Sequence, residues 1–173
     1  ESIDMSTTVM GKKIGMPLLL SPTARQRLFP WQAERAEAAV AQRFHTWFGI
    51  SSLATVSIEE VGAAIKTPKM FQLYIHKDKG LNKSMVERCK AADFDAITLT
   101  VDTIVAGNRE RCLRTGFTSP PRFTPSSVLS YATHPGWVMN YLFREKFALP
   151  NLSTHVSEGT NVAVSVADYF NTM

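Results

Sequence analysis

Two strand-like segments of the sequence carry polar side chains at alternate positions. Gln72 and Tyr74 are two residues apart in the apolar stretch FQLYI, and Thr98, Thr100 and Asp102 alternate with apolar residues in AITLTVDT. Successive side chains of a β-strand point to opposite faces, so each polar set shares one face of its strand. A buried polar group must find a hydrogen-bond partner, and this pattern therefore predicts a ligand-binding edge.

Asp102 and Arg109 are the charged residues of this region with the clearest chemical use. A carboxylate at the end of a buried strand must be paired or its pKa rises, and such groups orient a catalytic base or bind a ligand. A loop arginine holds a carboxylate through two parallel hydrogen bonds. The alternative is structural: each polar side chain satisfies neighbouring backbone groups, and Arg109 is a solvated surface charge.

The four histidines do not suggest a catalytic base or a metal site. His45 follows a helix, His76 follows a strand, and His134 and His155 are in the region after the last strand. None forms a triad-like pattern with a serine or cysteine, and no HExxH-type spacing occurs. We therefore expect no metal and assign no histidine as the base.

Apolar segments and helical periodicities alternate along the chain, which predicts a parallel sheet covered by helices. The strands are predicted at 16–21, 46–52, 70–75 and 95–102, and the helices at 31–44, 57–65 and 81–92. Ser57 and Glu60 form a capping-box pattern at the second helix. A small hairpin with Gly11 in its turn is predicted before the first strand, and a further helix near 125–143.

Two parallel architectures fit this alternation, an open doubly wound sheet and a (β/α)8 barrel. The segment after the first strand, SPTARQRLFPW, lacks the glycines of a dinucleotide-binding turn. A barrel gathers its chemistry at the carboxyl ends of its strands, where this chain has Ser21, Ser51, Gln72, Tyr74, Thr100 and Asp102. We therefore predict an α/β fold that is the N-terminal half of a (β/α)8 barrel, preceded by a short hairpin.

The composition is that of one globular domain: 173 residues, 45% hydrophobic and 20% charged. The net charge of +4 is spread along the chain, which disfavours a nucleic-acid partner. The apolar runs are too short to span a bilayer. Cys89 and Cys112 fit no zinc or disulfide pattern, so we expect free thiols.

Four motifs together resemble the FMN-dependent 2-hydroxy-acid oxidoreductases, a family that includes glycolate oxidases, lactate oxidases and lactate dehydrogenases of the flavocytochrome type. They are LLLSPTA at 18–24, GISSLATVSIEEV at 49–61, FQLYIHKDKG at 71–80 and LTVDTIVAGNRERCLRTGF at 99–117, with a softer match in STHVSEGTNVAVSVADYF. Their order and spacing follow the family's. The resemblance implies an FMN-binding barrel that oxidises a small 2-hydroxy acid.

The resemblance also implies roles for particular residues. The backbone of Pro22, Thr23 and Ala24 would lie against the flavin ring. The pyrimidine side of the flavin would be hydrogen-bonded by Ser51, Gln72 and Thr100.

On the substrate side, Tyr74 would contact the carboxylate or hydroxyl of the substrate, and Arg109 would help to hold that carboxylate. Asp102 would pair with the family's active-site histidine and fix its tautomer. That histidine belongs to a His-x-x-Arg segment which does not occur in this chain, nor do the family's flavin lysine and phosphate-binding loops. We therefore expect residues 1–173 to be a partial domain of a longer protein and to be inactive alone.

For the full-length protein we expect oxidation of an L-2-hydroxy acid, L-lactate above others, to the 2-oxo acid. Leu53 stands where oxidases often have tryptophan, which favours a dehydrogenase using a quinone or cytochrome over an oxidase using oxygen. We expect a homo-oligomer in the cytoplasm, peripheral to the membrane if a quinone is the acceptor. The alternatives are another FMN barrel, such as a type 2 isopentenyl diphosphate isomerase, and a non-catalytic binding protein or relic.

Overall fold

The computed structural model describes residues 3–101, 110–115 and 124–152. Its strands are β1 (Thr7–Val9), β2 (Lys12–Ile14), β3 (Leu19–Thr23), β4 (Trp47–Ser51), β5 (Lys69–Tyr74) and β6 (Ala96–Thr100). Its helices are a 3-10 turn (Gln26–Leu28), α1 (Glu34–Phe44), α2 (Ile58–Ala64), α3 (Lys79–Ala91), α4 (Glu110–Thr115), α5 (Pro125–Ala132) and α6 (Pro135–Phe143). None of the helices in these ranges has both the length and the apolar composition that crossing a bilayer requires.

Strands β1 and β2 form the predicted antiparallel hairpin. Its turn contains Met10 and Gly11, both with positive φ (50° and 74°), a pair of values typical of tight hairpin turns. Lys12 extends from the hairpin to the carboxylate of Asp95 just before β6, at 2.7 Å. The hairpin is thereby joined to the amino end of the main sheet.

Strands β3 to β6 form a parallel sheet whose spatial order follows the order in the chain. All four lie within two or three residues of their predicted bounds. A doubly wound sheet reverses its strand order at a switch point, and these four strands contain no such reversal. The strand order is that of consecutive strands in a (β/α)8 barrel, and the predicted fold class is confirmed.

Helices α1, α2 and α3 cover one face of this sheet, which we call the outer face. Its core contains Ile50 and Phe71 from neighbouring strands, and each helix contributes buried side chains such as Ala41, Val61 and Met85. Cys89 of α3, predicted to be a free thiol, is unpaired and buried there.

Local capping determines where these helices begin. The Ser57 hydroxyl accepts a hydrogen bond from the backbone N–H of Glu60 at 3.1 Å, so the predicted N-cap is confirmed. The carboxylate of Glu60 binds Arg35 of α1, instead of the return bond that a capping box implies. Helix α3 begins at Lys79, two residues earlier than predicted, because Asp78 caps it through the N–H groups of Gly80 and Leu81.

The prediction of one helix near 125–143 is wrong in one respect. The structure has two helices there, α5 and α6, and the chain leaves the helical conformation at Thr133 and His134 between them. Pro135 has no N–H to donate and restricts the residue before it, so His134 leaves the helical region (φ −123°, ψ 60°). Helix α4 is a further difference, since no regular element was predicted between residues 104 and 122.

Glu59 of α2 and Arg88 of α3 form a two-bonded ion pair, with distances of 2.6 and 2.8 Å between guanidinium and carboxylate. The bond to Arg88 lowers the pKa of Glu59 to about 2, although partial burial opposes it. A carboxylate with a lowered folded-state pKa stabilises the fold above its unfolded-state pKa, and that contribution is lost as the pH falls. This pair therefore makes the protein sensitive to acid.

We expect Glu59→Gln to lower the urea midpoint at pH 6 and to have a smaller effect near pH 2, where the wild-type carboxylate itself becomes protonated. Urea unfolding of both proteins at the two pH values measures this. Glu87→Gln is the matched control, because Glu87 is largely exposed and 3.7 Å from Lys83. An equal effect of Glu59→Gln at both pH values would contradict the assignment.

Candidate functional site

The inner face of the parallel sheet, opposite the helices, changes character along its strands. Near the amino end it is apolar, and Ile14 of the hairpin packs there against Trp47 and Met70. Near the carboxyl end it is polar, because Ser51 and Gln72 are register partners on adjacent strands. The hairpin thus covers one end of this face, and the polar groups meet at the other.

The polar end carries a short hydrogen-bonded row. Gln72 donates its side-chain N–H to the Thr100 hydroxyl at 2.7 Å, and the buried Ser51 hydroxyl accepts the backbone N–H of Leu53 at 3.2 Å. Within the described part of the chain, these bonds leave the Gln72 carbonyl oxygen and the two hydroxyl hydrogens available to a ligand. The sequence analysis grouped Ser51, Gln72 and Thr100, and the structure places these three residues on adjacent strands at one end of the sheet.

Tyr74 is the next inward-facing residue of β5 and the register partner of Thr100. It is half-buried at the same end of the sheet. Asp102 and Arg109, the two charged residues predicted for this site, lie outside the described residues. The structure therefore brings together Ser51, Gln72, Tyr74 and Thr100.

The end of β3 approaches the neighbouring strand very closely. Its register with β4 shifts between Leu20 and Thr23, and Pro22 lies within this irregularity. A Cβ added to Gly49 would be 2.8 Å from the Pro22 Cδ and 2.9 Å from the Leu20 carbonyl oxygen. Only glycine leaves room for this approach, so Gly49 sets the position of the segment from Pro22 to Ala24.

Two hydrogen bonds connect the loop after β3 to the loop after β4. The N–H of Arg25 donates to the Leu53 carbonyl at 3.2 Å, and the N–H of Arg27 donates to the Thr55 hydroxyl at 3.3 Å. Thr55 in turn binds both carboxylate oxygens of the buried Glu34, at 2.9 and 2.6 Å. The segment that contains Pro22–Ala24 is thus held beside Ser51.

The loop after β3 also binds helix α6 through hydrogen bonds. The buried Arg27 guanidinium donates to the carbonyl of Asn140 at 3.1 Å and to that of Glu145, and the Trp137 indole N–H donates to the Leu28 carbonyl at 2.8 Å. The sequence analysis missed Arg27, Trp137 and Gly49. For Gly49, a lone glycine inside a buried strand is a signal of close backbone approach; for the other two the sequence offers none.

One histidine in the described ranges lies just beyond the end of β5. His76 has a structural position, because its ring nitrogen Nδ1 accepts the Asp78 N–H at 3.1 Å and Asn82 bonds to its backbone. Among the described residues, no three His, Cys, Asp or Glu side chains cluster in a way that could hold a metal ion.

The fold and the polar end define a barrel-type α/β protein with a row of polar side chains at the carboxyl ends of its strands. Comparison with known proteins makes this more specific. A family model described as FMN-dependent dehydrogenase matches residues 1–171. Spinach (Spinacia oleracea) glycolate oxidase is 42% identical over 123 residues, which are 71% of this chain and 33% of that enzyme. The L-lactate dehydrogenase of Vibrio parahaemolyticus is 33% identical over 161 residues, 92% of this chain and 42% of that enzyme.

Two solved structures extend the comparison. The monotopic membrane protein (S)-mandelate dehydrogenase matches with a TM-score of 0.85 and 26% identity, covering 95% of this chain and 44% of that one. A soluble mutant of the membrane-associated (S)-mandelate dehydrogenase from Pseudomonas putida matches with a TM-score of 0.62 and 31% identity, covering 70% of this chain and 34% of that one.

The chain belongs to the FMN-dependent dehydrogenase family, and its cofactor is FMN. It spans about a third of the length of the plant relatives it matches. The side chains present fit this cofactor. The pyrimidine edge of a flavin alternates carbonyl oxygens with an N–H, and the row of Ser51, Gln72 and Thr100 offers both donors and an acceptor.

Proposed function

We propose that residues 1–173 are the N-terminal part of an FMN-dependent enzyme domain that oxidises an L-2-hydroxy acid, L-lactate above others, to the 2-oxo acid. The observation that carries this is the row of Ser51, Gln72 and Thr100 at the carboxyl ends of three adjacent strands. The family supplies the type of reaction, and the row supplies a place for the cofactor.

The cofactor contacts follow from that row. Ser51, Gln72 and Thr100 hydrogen-bond the pyrimidine side of FMN, and the backbone from Pro22 to Ala24 lies against the ring. The close contact of Pro22 with Gly49 supports this arrangement, since it holds the backbone beside the polar row. When bound, FMN supplies the redox chemistry, and the protein positions the reactants and excludes water.

The substrate contacts involve Tyr74, Arg109 and Asp102. Tyr74, one step beyond Gln72 on the inner face, contacts the carboxylate or hydroxyl of the substrate. Arg109 holds the carboxylate with its guanidinium. Asp102 accepts the N–H of a histidine outside this chain, so that the other ring nitrogen stays basic and takes the proton of the substrate hydroxyl.

L-Lactate is proposed ahead of glycolate because the Vibrio L-lactate dehydrogenase matches 92% of this chain, against 71% for spinach glycolate oxidase. It is proposed ahead of mandelate because the Vibrio enzyme is 33% identical to this chain, against 26% for the monotopic (S)-mandelate dehydrogenase. Leu53, in the loop that supports Ser51, favours a dehydrogenase with a quinone or cytochrome as acceptor. The (S)-mandelate dehydrogenase match, a monotopic membrane protein, supports a peripheral membrane location. We further propose that the full-length protein is a homo-oligomer.

A substrate and acceptor panel tests this function on the full-length protein loaded with FMN. L-Lactate, glycolate and (S)-mandelate are each assayed with a soluble quinone analogue and with oxygen. We expect the highest kcat/KM for L-lactate with the quinone analogue. Turnover of isopentenyl diphosphate without any hydroxy-acid oxidation would overturn the proposal in favour of an isomerase.

Gln72→Leu is expected to weaken FMN binding by about tenfold to a hundredfold, because it removes a hydrogen-bonding amide and leaves its polar neighbour unpaired. Fluorescence titration of the apoprotein with FMN measures the change. Thr98→Val is the matched control. Thr98 lies on the same face of β6 as Thr100, but its hydroxyl contacts the Met70 sulfur at 3.3 Å and not the Gln72 amide. Equal FMN affinity in Gln72→Leu and Thr98→Val would refute the proposed role of the amide.

A further inference from the structure

Arg27 is a buried arginine in the 3-10 turn that follows the Pro22–Ala24 segment, and it is 4% exposed. Within the described part of the chain, none of the ion pairs involves its guanidinium, and its Nε–H has no hydrogen-bond acceptor. A buried charge is costly unless it is paired or hydrogen-bonded. The acceptors that remain to the guanidinium therefore decide whether it can stay buried.

Two backbone carbonyl groups at the end of α6 are those acceptors. The guanidinium nitrogen Nη2 donates to the Asn140 carbonyl at 3.1 Å and to the Glu145 carbonyl just beyond the helix. Asn140 is one of the last four residues of α6, whose carbonyl groups have no donor within the helix. A cation also interacts favourably with the carboxyl end of the helix dipole. Arg27 therefore caps α6 from outside, and each partner satisfies a group that the other would leave unpaired.

The backbone of the same turn is fixed on both of its sides. The Arg27 N–H donates to the Thr55 hydroxyl at 3.3 Å, and Thr55 is held by the buried Glu34 carboxylate. On the other side, the Leu28 carbonyl accepts the Trp137 indole N–H of α6 at 2.8 Å. One short turn thus connects the loop beside Ser51 with the end of α6.

We propose that Arg27 is a positioning residue that couples the docking of α6 to the binding of FMN. The inference rests on the proposed contact between the Pro22–Ala24 segment and the flavin ring. While the end of α6 is docked, the guanidinium stays buried and the turn Gln26–Leu28 fixes the segment before it. When α6 moves away, the guanidinium loses its acceptors and turns towards water, and the flavin-contacting backbone loosens with it.

Coupling of this kind is reciprocal. If docked α6 tightens FMN binding by some factor, bound FMN favours the docked state of α6 by the same factor. Factors between about 5 and 150 are typical of coupled sites. We expect about tenfold here, towards the lower end, because Arg27 acts on the flavin through the neighbouring backbone and not by direct contact.

Hydrogen–deuterium exchange of the full-length protein, with and without saturating FMN, tests the coupling because it reports local opening of a segment. In wild type, FMN is expected to slow exchange in peptides that span α6 by about tenfold. Arg27→Met keeps an unbranched side chain and removes its donors. In this variant we expect FMN to slow exchange in α3 as in wild type but no longer in α6. Fluorescence titration with FMN is expected to show that its Kd rises by about the same tenfold.

Arg27→Lys keeps the charge but loses the planar fork, and we expect it to weaken FMN binding by about threefold, between wild type and Arg27→Met. If Arg27→Met does not fold, Arg27→Lys alone decides: unchanged FMN affinity with unchanged slowing in α6 would overturn the proposal. The matched control is Met85→Ala, which truncates a fully buried side chain of α3. It is expected to lower the urea midpoint and to keep the FMN-linked slowing in α6.

Three further results would overturn the coupling: no slowing of α6 by FMN in wild type, equal slowing in wild type and Arg27→Met, or loss of the effect in Met85→Ala as well. Coupling that is present in a protein that oxidises no hydroxy acid would leave this inference intact and reject only the proposed reaction. FMN affinity that falls in Gln72→Leu but not in Arg27→Met would reject only this inference.

Discussion

Replacing Phe71 with alanine is expected to lower the free energy of unfolding by about 3–5 kcal/mol, the largest stability effect that we foresee. Phe71 is fully buried at the centre of the outer face, with Ile50 and Ile97 as its register partners. Its ring also meets Phe94 edge to face, with centroids 6.5 Å apart. Truncation leaves a cavity that the flanking strands cannot close, because the backbone hydrogen bonds between β4, β5 and β6 fix their positions.

Urea unfolding at neutral pH, followed by far-ultraviolet circular dichroism, measures this change. Phe29→Ala is the control, since Phe29 is 72% exposed and its truncation is expected to cost less than about 0.5 kcal/mol. Similar losses for the two variants would mean that the outer-face core is not centred on Phe71.

Replacing Gly49 with alanine is expected to affect stability and cofactor binding together. The new methyl group would lie 2.8 Å from the Pro22 Cδ and 2.9 Å from the Leu20 carbonyl oxygen. Neither atom can rotate away, because the first belongs to a ring closed onto the backbone and the second to the backbone itself. Overpacking of this kind costs about 1–3 kcal/mol. Because β3 must move, the Pro22–Ala24 segment moves too, and we expect FMN affinity to fall by roughly tenfold.

Gly136→Ala is the matched glycine control, since nothing lies within 4 Å of the position that its Cβ would take. We expect it to keep wild-type stability and FMN affinity, as measured by the same urea and fluorescence titrations. If Gly49→Ala binds FMN as tightly as wild type while losing stability, the Pro22–Ala24 segment does not contact the cofactor.

The strand and helix order of this protein was predictable because it depends on local patterns. Apolar runs marked β4 and β5 to within a residue or so, and the Ser57 cap marked the start of α2. The division of the last helical region into α5 and α6 also has a local signal, because Pro135 disfavours a helical conformation for the residue before it. The prediction of one helix did not use that signal.

Part of the site was predictable for the same reason. Gln72 and Tyr74 share a face by the two-residue period of a strand, and that required no knowledge of the fold. Their neighbours across the sheet were a different matter. The family resemblance grouped Ser51 and Thr100 with Gln72, whereas the parallel register shows how close they are: Ser51 is level with Gln72, and Thr100 is one step beyond.

The sequence by itself determined the parallel α/β class, the polar face of β5 and β6, and the family. Only the tertiary structure showed that Pro22 approaches the backbone of Gly49 closely, and that Arg27 and Trp137 hold α6 against the loop after β3. It also showed that α5 and α6 leave large apolar side chains exposed. The physical reason is range. Periodicity and capping act between residues a few positions apart, whereas Arg27 meets the Asn140 carbonyl across more than a hundred positions of chain. No local pattern encodes such a contact; it exists because packing brings the two segments together.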